Sequence, residues 1–537
     1  MVQCYTFSRF ILLLQILPYI IISSSTAIPI DSIDETEWTL LEQSLSPNAN
    51  LYGPLSSNSY STCLTLGTNA YAISDAANGL CMHSHECRYE FCTAGQSFDL
   101  PSYTVDVRTP EDIAAVLTFA QEKELPVSVK TTGHSYTGSS TQAGSIMIWM
   151  HNYPKDGMIQ TNFENSCGVV TDAVVGIGGG EVWDDVLDHV KGDYHVVTGG
   201  GRTVSAAGGW LMGGGLSFTS REYGIGVDQV VEFDVVLADG SIRKVDACSD
   251  PDLFWALRGG GGGTFAVVTH VQYKLHPVTE IQEVFFDLYG YGTSDEGNSF
   301  YRSAVLQWIR YWIKMSPTLD TRWGGFFDIG HALLLFAGSM EDAKETFLNE
   351  FEDWFETKLI KSDNPFVYGS GLDTRSHENW YEYKGGDAAK GNPDMTDQTG
   401  VAYDGINVMA ARLVPEDFVV NRGDEIFNLL ISEDVAPYLG YVNYYLGGNI
   451  NEVGVDETSV HPALRSSIWS LFTINEVANQ RVRDLLSNDI TGVCYNHHNS
   501  LEPDWRNVRK QLSRARFGFY GLKTATTPLT FFNILLY

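Results

Sequence analysis

Lys130-Thr131-Thr132-Gly133-His134-Ser135-Tyr136-Thr137-Gly138-Ser139-Ser140 is the stretch on which the reading of this chain turns. It follows Pro126-Val127-Ser128-Val129, which reads as a strand. Its glycines permit tight turns, and backbone N–H groups and hydroxyls between them can bind an anion. A pyrophosphate is the natural guest of such a loop. His134 stands inside it, where an imidazole can attach to a cofactor or act as a base. An ordinary surface loop has the same composition, so the flanking sequence has to choose.

Upstream, Tyr103–Val107 reads as a strand. Thr109-Pro110-Glu111-Asp112 reads as a helix start, with Thr as cap, Pro at the first position and acids in the first turn. Ile113, Val116, Leu117 and Ala120 then give that helix one apolar face. Residues 28–98 form a Ser/Asn-rich lead-in, expected to be irregular. Downstream, Val169–Ile177 reads as a strand, and Trp183, Val186, Leu187 and Val190 as an amphipathic helix. A glycine-dense segment runs from Gly199 to Gly215. Val230–Ala238 and Ser241–Val245 flank Asp239-Gly240, a hairpin signal. Asp252–Leu257 reads as a helix that stops at the five glycines 259–263, and Phe265–Leu275 as a strand.

Beyond residue 278 the character changes. Strand-like runs (Trp323–Phe327, Ala332–Phe336, Leu439–Leu446) mix with helical ones such as Asp342–Phe355. The pattern predicts a substrate domain over 279–490, an antiparallel sheet backed by helices. On the strand 439–446, Tyr441, Asn443 and Tyr445 share one face and Val442 and Tyr444 the other. Either set can line a pocket.

A nicotinamide site is the competing reading. Gly176-Ile177-Gly178-Gly179-Gly180 follows a strand and precedes a helix, but the spacing fails the dinucleotide fingerprint and Glu181 would repel a pyrophosphate.

Bulk properties bound the rest. The chain has 537 residues, 44% apolar and 19% charged, which describes a globular protein. Its net charge of -32 disfavours nucleic acid and anionic membrane surfaces. Arg9, the apolar run Phe10–Ile22 and Ser25-Thr26-Ala27 read as a signal peptide, residues 1–27, so secretion is expected. Seven cysteines lie beyond it, an odd number. Cys63, Cys81, Cys87 and Cys92 cluster where disulfides are the default. A zinc site on Cys81, His83, His85 and Cys87 is the weaker alternative there.

Gly133-His134-Ser135-Tyr136-x-Gly138, Gly208-Gly209…Gly213-Gly214-Gly215, Tyr223-Gly224…Asp228 and Asp252-Leu253-Phe254-Trp255-Ala256…Arg258-Gly259-Gly260 follow one another in order. Val460-His461-Pro462-Ala463-Leu464-Arg465 and Glu502-Pro503-Asp504-Trp505 come after them. Together these resemble the berberine-bridge-enzyme-like group of the vanillyl-alcohol-oxidase (PCMH-type FAD-binding) superfamily, over residues 99–505.

The resemblance implies an α+β fold. A two-lobed FAD-binding domain would come from 99–278, and a C-terminal segment, 491–537, would return to it. It implies FAD bound covalently through His134 and contacted by Lys130, Thr131, Thr132, Gly133, Ser135, Ser139, Thr203, Val204, Ser205, Gly209, Gly214, Val227 and Asn496. The second covalent link of some members uses a cysteine where this chain has Gly201, so a single link is expected. Val204 matches a gate position where a small residue admits oxygen, which favours an oxidase over a dehydrogenase. Tyr136 matches an active-site tyrosine. A further family tyrosine is Cys494 here, which leaves the catalytic base open. The expected partners are oxygen and a small alcohol or hemiacetal substrate, oxidised by hydride transfer to flavin N5 with hydrogen peroxide as product. A dehydrogenase using another acceptor, or a non-catalytic FAD-binding protein, are the alternatives. After Trp505 the family pattern is lost. Residues 506–537 hold six Lys/Arg and no acid, from a basic extension or a displaced reading frame.

Overall fold

The computed structural model describes residues 30–54, 101–133, 140, 142, 144–199, 201–288, 295–359, 371–386, 410–473 and 475–486. The expectations for Cys63, Cys81, Cys87, Cys92, His134, Ser135, Tyr136, Ser139, Cys494, Asn496 and the tail after 505 fall outside these residues.

The first lobe is a four-stranded sheet. Strands β2 (Tyr103–Asp106), β3 (Val127–Lys130) and β4 (Ile146–Trp149) are parallel, and β1 (Asn50–Tyr52) joins antiparallel, in the order β1-β2-β4-β3. Helix Pro110–Glu122 covers one face. Its start is capped as the sequence predicts: Asp112 N–H donates to Thr109 Oγ1 and Thr109 N–H to Asp112 Oδ2.

The lead-in departs from expectation, because part of it is regular. Glu35–Ser44 is a helix whose first turn is capped by Asp34, with the Thr36 N–H donating at 2.8 Å. Trp38 and Leu41 are buried, and the Trp38 ring stacks on Tyr103 with centroids 3.6 Å apart. Ser46 then donates from N and Oγ to the carboxylate of Asp112. Three residues separate Trp38 from Leu41, a helical interval masked by the polar residues around it.

The second lobe is an antiparallel sheet. It comprises β5 (Ile159–Glu164), β6 (Val170–Gly178), β8 (Val230–Val236), β9 (Ile242–Val245) and β10 (Val267–Lys274), ordered β5-β6-β10-β8-β9. A disulfide joins Cys167, before β6, to Cys248, after β9. A short ladder of β7 (Tyr194–His195) and β11 (His276–Pro277) sits beside this sheet.

The third body is a seven-stranded antiparallel sheet. Its strands are β12 (Ile281–Asp287), β13 (Trp323–Phe327), β14 (His331–Ala337), β15 (Gly371–His377), β16 (Ala410–Pro415), β17 (Leu439–Tyr444) and β18 (Ser467–Thr473), ordered β15-β12-β14-β13-β17-β18-β16. One face packs on helices through an aromatic core that includes Trp308, Trp312, Phe347, Phe351, Val442 and Tyr444. Each such side chain removed from water stabilises the fold by about 1.5–3 kcal/mol. The other face, with Leu335, Ala337, Phe326 and Tyr445, packs on the second lobe. The structure therefore puts Val442 and Tyr444 in the helix-side core and turns Asn443 and Tyr445 toward the lobe.

The motifs converge on one clamp. Arg465 meets Asp228 in a bidentate ion pair, with N–O distances of 2.6 and 2.8 Å, and Arg465 is 4% exposed. Trp255 Nε1 donates to Asp456 O, Arg258 Nη2 to Glu457 O, and Ser459 Oγ to Ala256 O. Removing one member of a buried pair leaves the other charge uncompensated, at a cost of about 3–5 kcal/mol. Asp228→Ala should lower stability by about that amount in denaturant titration.

Two histidines meet at the seam between lobe and sheet. His195 and His276 are cross-strand partners, and the Tyr223 ring lies 4.6 and 4.5 Å from theirs. Trp380, just beyond β15, meets His195 edge-on at 5.5 Å. Burial, and then His276, holds His195 down to about 3; burial, and then Lys274, holds His276 to about 4. Unfolded imidazoles take up protons near 6.5. The native stack therefore contributes its full stability above about pH 6.5 and loses it progressively as pH falls toward 4. Melting temperature should drop between pH 7 and pH 5, and His195→Phe should flatten that drop.

Candidate active site

Three glycine-bearing segments meet at the C-terminal end of β3. Thr131-Thr132-Gly133 leaves the strand, and Gly133 turns the chain at φ 82°. The second segment, Ser205–Gly209, leads into a short helix, Gly209–Met212. A Cβ on Gly208 would lie 2.5 Å from Ser205 Oγ and 3.2 Å from Thr131 Oγ1. The third segment comes from the five-glycine run: a Cβ on Gly262 would lie 3.0 Å from Gly209 Cα, and one on Gly263 would lie 3.7 Å from Val129. Gly209 is exposed, and a Cβ there would meet nothing within 4 Å. The three segments are thus packed closely on one another, and at Gly209 their backbone borders open space.

The cradle has the polar character an anion needs. Lys130 is buried at the end of β3, and Thr132 is buried beside it. Ser205 Oγ is buried and has no hydrogen-bond partner among the described residues. A buried hydroxyl left unpaired is costly, so this one fits a ligand oxygen.

The remaining predicted contacts divide. Thr203 and Val204 are half-buried one turn before Ser205. Val204 is pinned by its backbone, its N–H donating to Gly201 O and its carbonyl accepting from Trp183 N–H. Gly214 and Val227 are joined to each other instead, Val227 N–H donating to Gly214 O at 3.0 Å. The open side of Gly214 faces Val460, Leu464 and Ile225, so both residues sit in the lobe core.

Arg202 is a residue the sequence reading misses. Its guanidinium, 2% exposed, donates to Lys384 O at 2.6 Å and pairs with Asp184. Through it the segment carrying Val204 and Ser205 is latched to the turn after β15. Lys384 lies within 6 Å of the ring centroids of Phe218, Trp380 and Tyr383. Phe218 also meets the Tyr445 ring edge-on at 5.0 Å. No local pattern announces the Arg202–Lys384, Lys384–Phe218 and Phe218–Tyr445 contacts, which join residues more than 160 positions apart.

The decoy glycines 176–180 have a different use. A Cβ on Gly178 would lie 2.0 Å from Pro154 O, so these glycines admit a crossing backbone. Glu181 is fully buried and accepts from Gly178 N–H and Asp156 N–H, with His189 Nε2 at 2.6 Å. A nicotinamide dinucleotide has no access to this turn.

Residues 101–246 match the FAD binding domain family. The chain is also 36% identical, over 238 residues, to an FAD-linked oxidoreductase of Phaeosphaeria nodorum. That match covers 44% of this chain, and the chain spans about half of the relative, 52%. The fold aligns with the crystal structure of a VAO-type flavoprotein from Myceliophthora thermophila C1 at TM-score 0.68, covering 93% of this chain and 94% of that one at 22% identity. Residues 101–246 thus carry an FAD binding domain, on a fold similar to that of vanillyl-alcohol-oxidase-type flavoproteins. A glucooligosaccharide oxidase of Acremonium strictum shares the fold at TM-score 0.55 and 22% identity, over 77% of this chain and 85% of that one. The fold is the α+β PCMH-type one expected from the motifs.

The two glycine clusters should respond differently to a methyl group. Gly208→Ala narrows the cradle and should yield protein with a reduced ratio of 450 nm to 280 nm absorbance. Gly178→Ala drives a methyl into backbone and should lower the melting temperature of whatever protein is recovered.

Proposed function

We propose that this flavoprotein is a secreted oxidase that carries FAD covalently on His134 and oxidises an alcohol or hemiacetal at the expense of oxygen. The observation that carries the reading is the glycine cradle with the unpartnered Ser205 Oγ, which leads directly into Gly133-His134-Ser135-Tyr136. FAD, when bound, supplies the acceptor for a hydride from the substrate C–H and passes the electrons to oxygen.

The chain's own groups divide the remaining work. Backbone N–H groups of the cradle, with Thr131 and Ser205, bind the pyrophosphate oxygens. Lys130 adds positive charge behind them. Phe218 and Phe326 exclude water from the seam over the sheet. Burial pushes the Tyr445 phenol well above its ordinary value, so at neutral pH it is a protonated hydroxyl. Tyr136 is left as the candidate catalytic residue in the loop. The substrate class is a carbohydrate oxidised at an anomeric hydroxyl, or an aromatic or other specialised alcohol.

Secretion is supported by the signal-like N-terminus and by the Cys167–Cys248 disulfide, which forms in oxidising compartments. No helix among the described residues is long and apolar enough to cross a membrane. The position of Val204 beside the cradle favours oxygen as acceptor over a dehydrogenase reading.

The test is acid precipitation of purified protein, followed by the visible spectrum of pellet and supernatant. Yellow colour should stay in the wild-type pellet and move to the supernatant in His134→Ala. Oxygen consumption should then appear with sugars or aromatic alcohols. Colour in the supernatant of the wild type would remove the covalent bond, and a colourless protein would remove the flavoenzyme reading.

A further inference from the structure

Strand β17 alternates between two environments. Val442 and Tyr444 are in the helix-side aromatic core. Asn443 points the other way, on the face it shares with its cross-strand partner Phe326. That face is otherwise built largely of apolar side chains packed on the second lobe, Leu333, Leu335, Ala337 and Leu413 among them. Asn443 is 1% exposed, and its Oδ1 has no hydrogen-bond partner among the described residues. The Tyr445 hydroxyl-bearing ring follows two residues later on the same side, against Phe218.

A buried amide oxygen without a donor weakens a fold, and leucine of similar volume would not carry that cost. Local rules broken in this way, with no compensating contact, mark functional positions. The carboxamide offers one acceptor and two donors, a set that matches a hydroxyl in either direction. Phe326, the cross-strand partner of Asn443, and Tyr445 meet Phe218 of the lobe at 6.4 and 5.0 Å, and Lys384, tied to the cradle segment by Arg202, lies 5.8 Å from the same ring.

We propose that Asn443 is a substrate-contacting, specificity-determining residue that hydrogen-bonds a hydroxyl next to the carbon being oxidised, so that the site takes a polyhydroxylated substrate. The assignment rests on the flavoenzyme reading above. It separates sugars from aromatic monoalcohols, which lack that second hydroxyl.

The experiment compares wild type, Asn443→Leu and Asn443→Gln in three measurements: flavin content, melting temperature, and anaerobic flavin reduction by glucose, cellobiose and benzyl alcohol. Asn443→Leu should keep the wild-type flavin content. Its melting temperature should hold or rise by ~2 °C, because an unpaired polar group has been removed. Its second-order rate of reduction by glucose or cellobiose should fall about tenfold or more, as loss of a buried hydrogen bond requires. Asn443→Gln should recover part of that rate. A melting temperature lowered by more than ~4 °C would make Asn443 a structural residue and overturn the proposal. So would an unchanged sugar rate, a wild type reduced by benzyl alcohol alone, or one reduced by none of the three. Wild-type protein without flavin would instead remove the underlying flavoenzyme reading, and the melting temperatures would still report whether the amide is bonded in the fold.

Discussion

The buried pair of Arg465 and Asp228 holds together parts of the chain 237 residues apart. Asp228 belongs to the loop that enters β8 of the second lobe, and Arg465 lies just before β18 of the large sheet. Two charges removed from water demand close geometry and supporting hydrogen bonds. This pair is bidentate, and Arg465 also donates to Thr458 Oγ1 and Ile450 O, though its Nε has no partner among the described residues. Around it the segment 456–465 docks on helix Pro251–Leu257 and on the glycine that follows. A Cβ on Gly259 would lie 2.4 Å from Val460 N. The motifs that make the sequence recognisable are therefore in large part the surfaces of one joint between lobe and sheet. That joint fixes where the sheet face lies against the lobe.

Glycine serves two opposed purposes here. At Gly178 and its neighbours the missing side chain lets one backbone cross another, and the space is filled by protein. At Gly208 it lets the backbone approach Ser205 Oγ, which has no partner among the described residues, and at Gly209 it borders open space. Glu181 shows the difference in electrostatic terms. A buried carboxylate that accepts the turn's N–H groups leaves no site for a phosphate, whereas Ser205 and Thr131 present hydroxyls to theirs.

The lobe and the sheet are also joined by side chains that cross over. Arg221 leaves the lobe, donates to the carbonyls of Leu446 and Leu319, and lies over the Tyr444 ring at 4.2 Å. Phe218 passes so close to β13 that only glycine fits at position 324. With Arg202 and the His195–Tyr223–His276 stack, these contacts make the seam polar in detail though apolar in bulk. Most of these polar groups are hydrogen-bonded across the seam, although Arg202 Nε, Arg221 Nε and His195 Nδ1 have no partner among the described residues.

The sequence by itself determined the local elements and their class. Thr109, Pro110 and Asp112 start a helix by rules that operate within four residues, and Asp239-Gly240 makes a hairpin for the same reason. The ordered motifs carried the FAD-binding reading, because backbone approach to an anion needs glycine at particular steps. The helix Glu35–Ser44 was legible in Trp38 and Leu41 but hidden by polar neighbours. Tertiary structure alone decided which face of β17 looks at the lobe. Alternation presents both faces equally, and only the packing of Val442 and Tyr444 against the helices breaks the tie. It likewise decided that Gly214 and Val227 are core, that Arg202 latches the cradle, and that Asn443 Oδ1 has no partner among the described residues. Burial and hydrogen bonding between residues far apart in the chain are set by the assembled fold, and no local pattern encodes them.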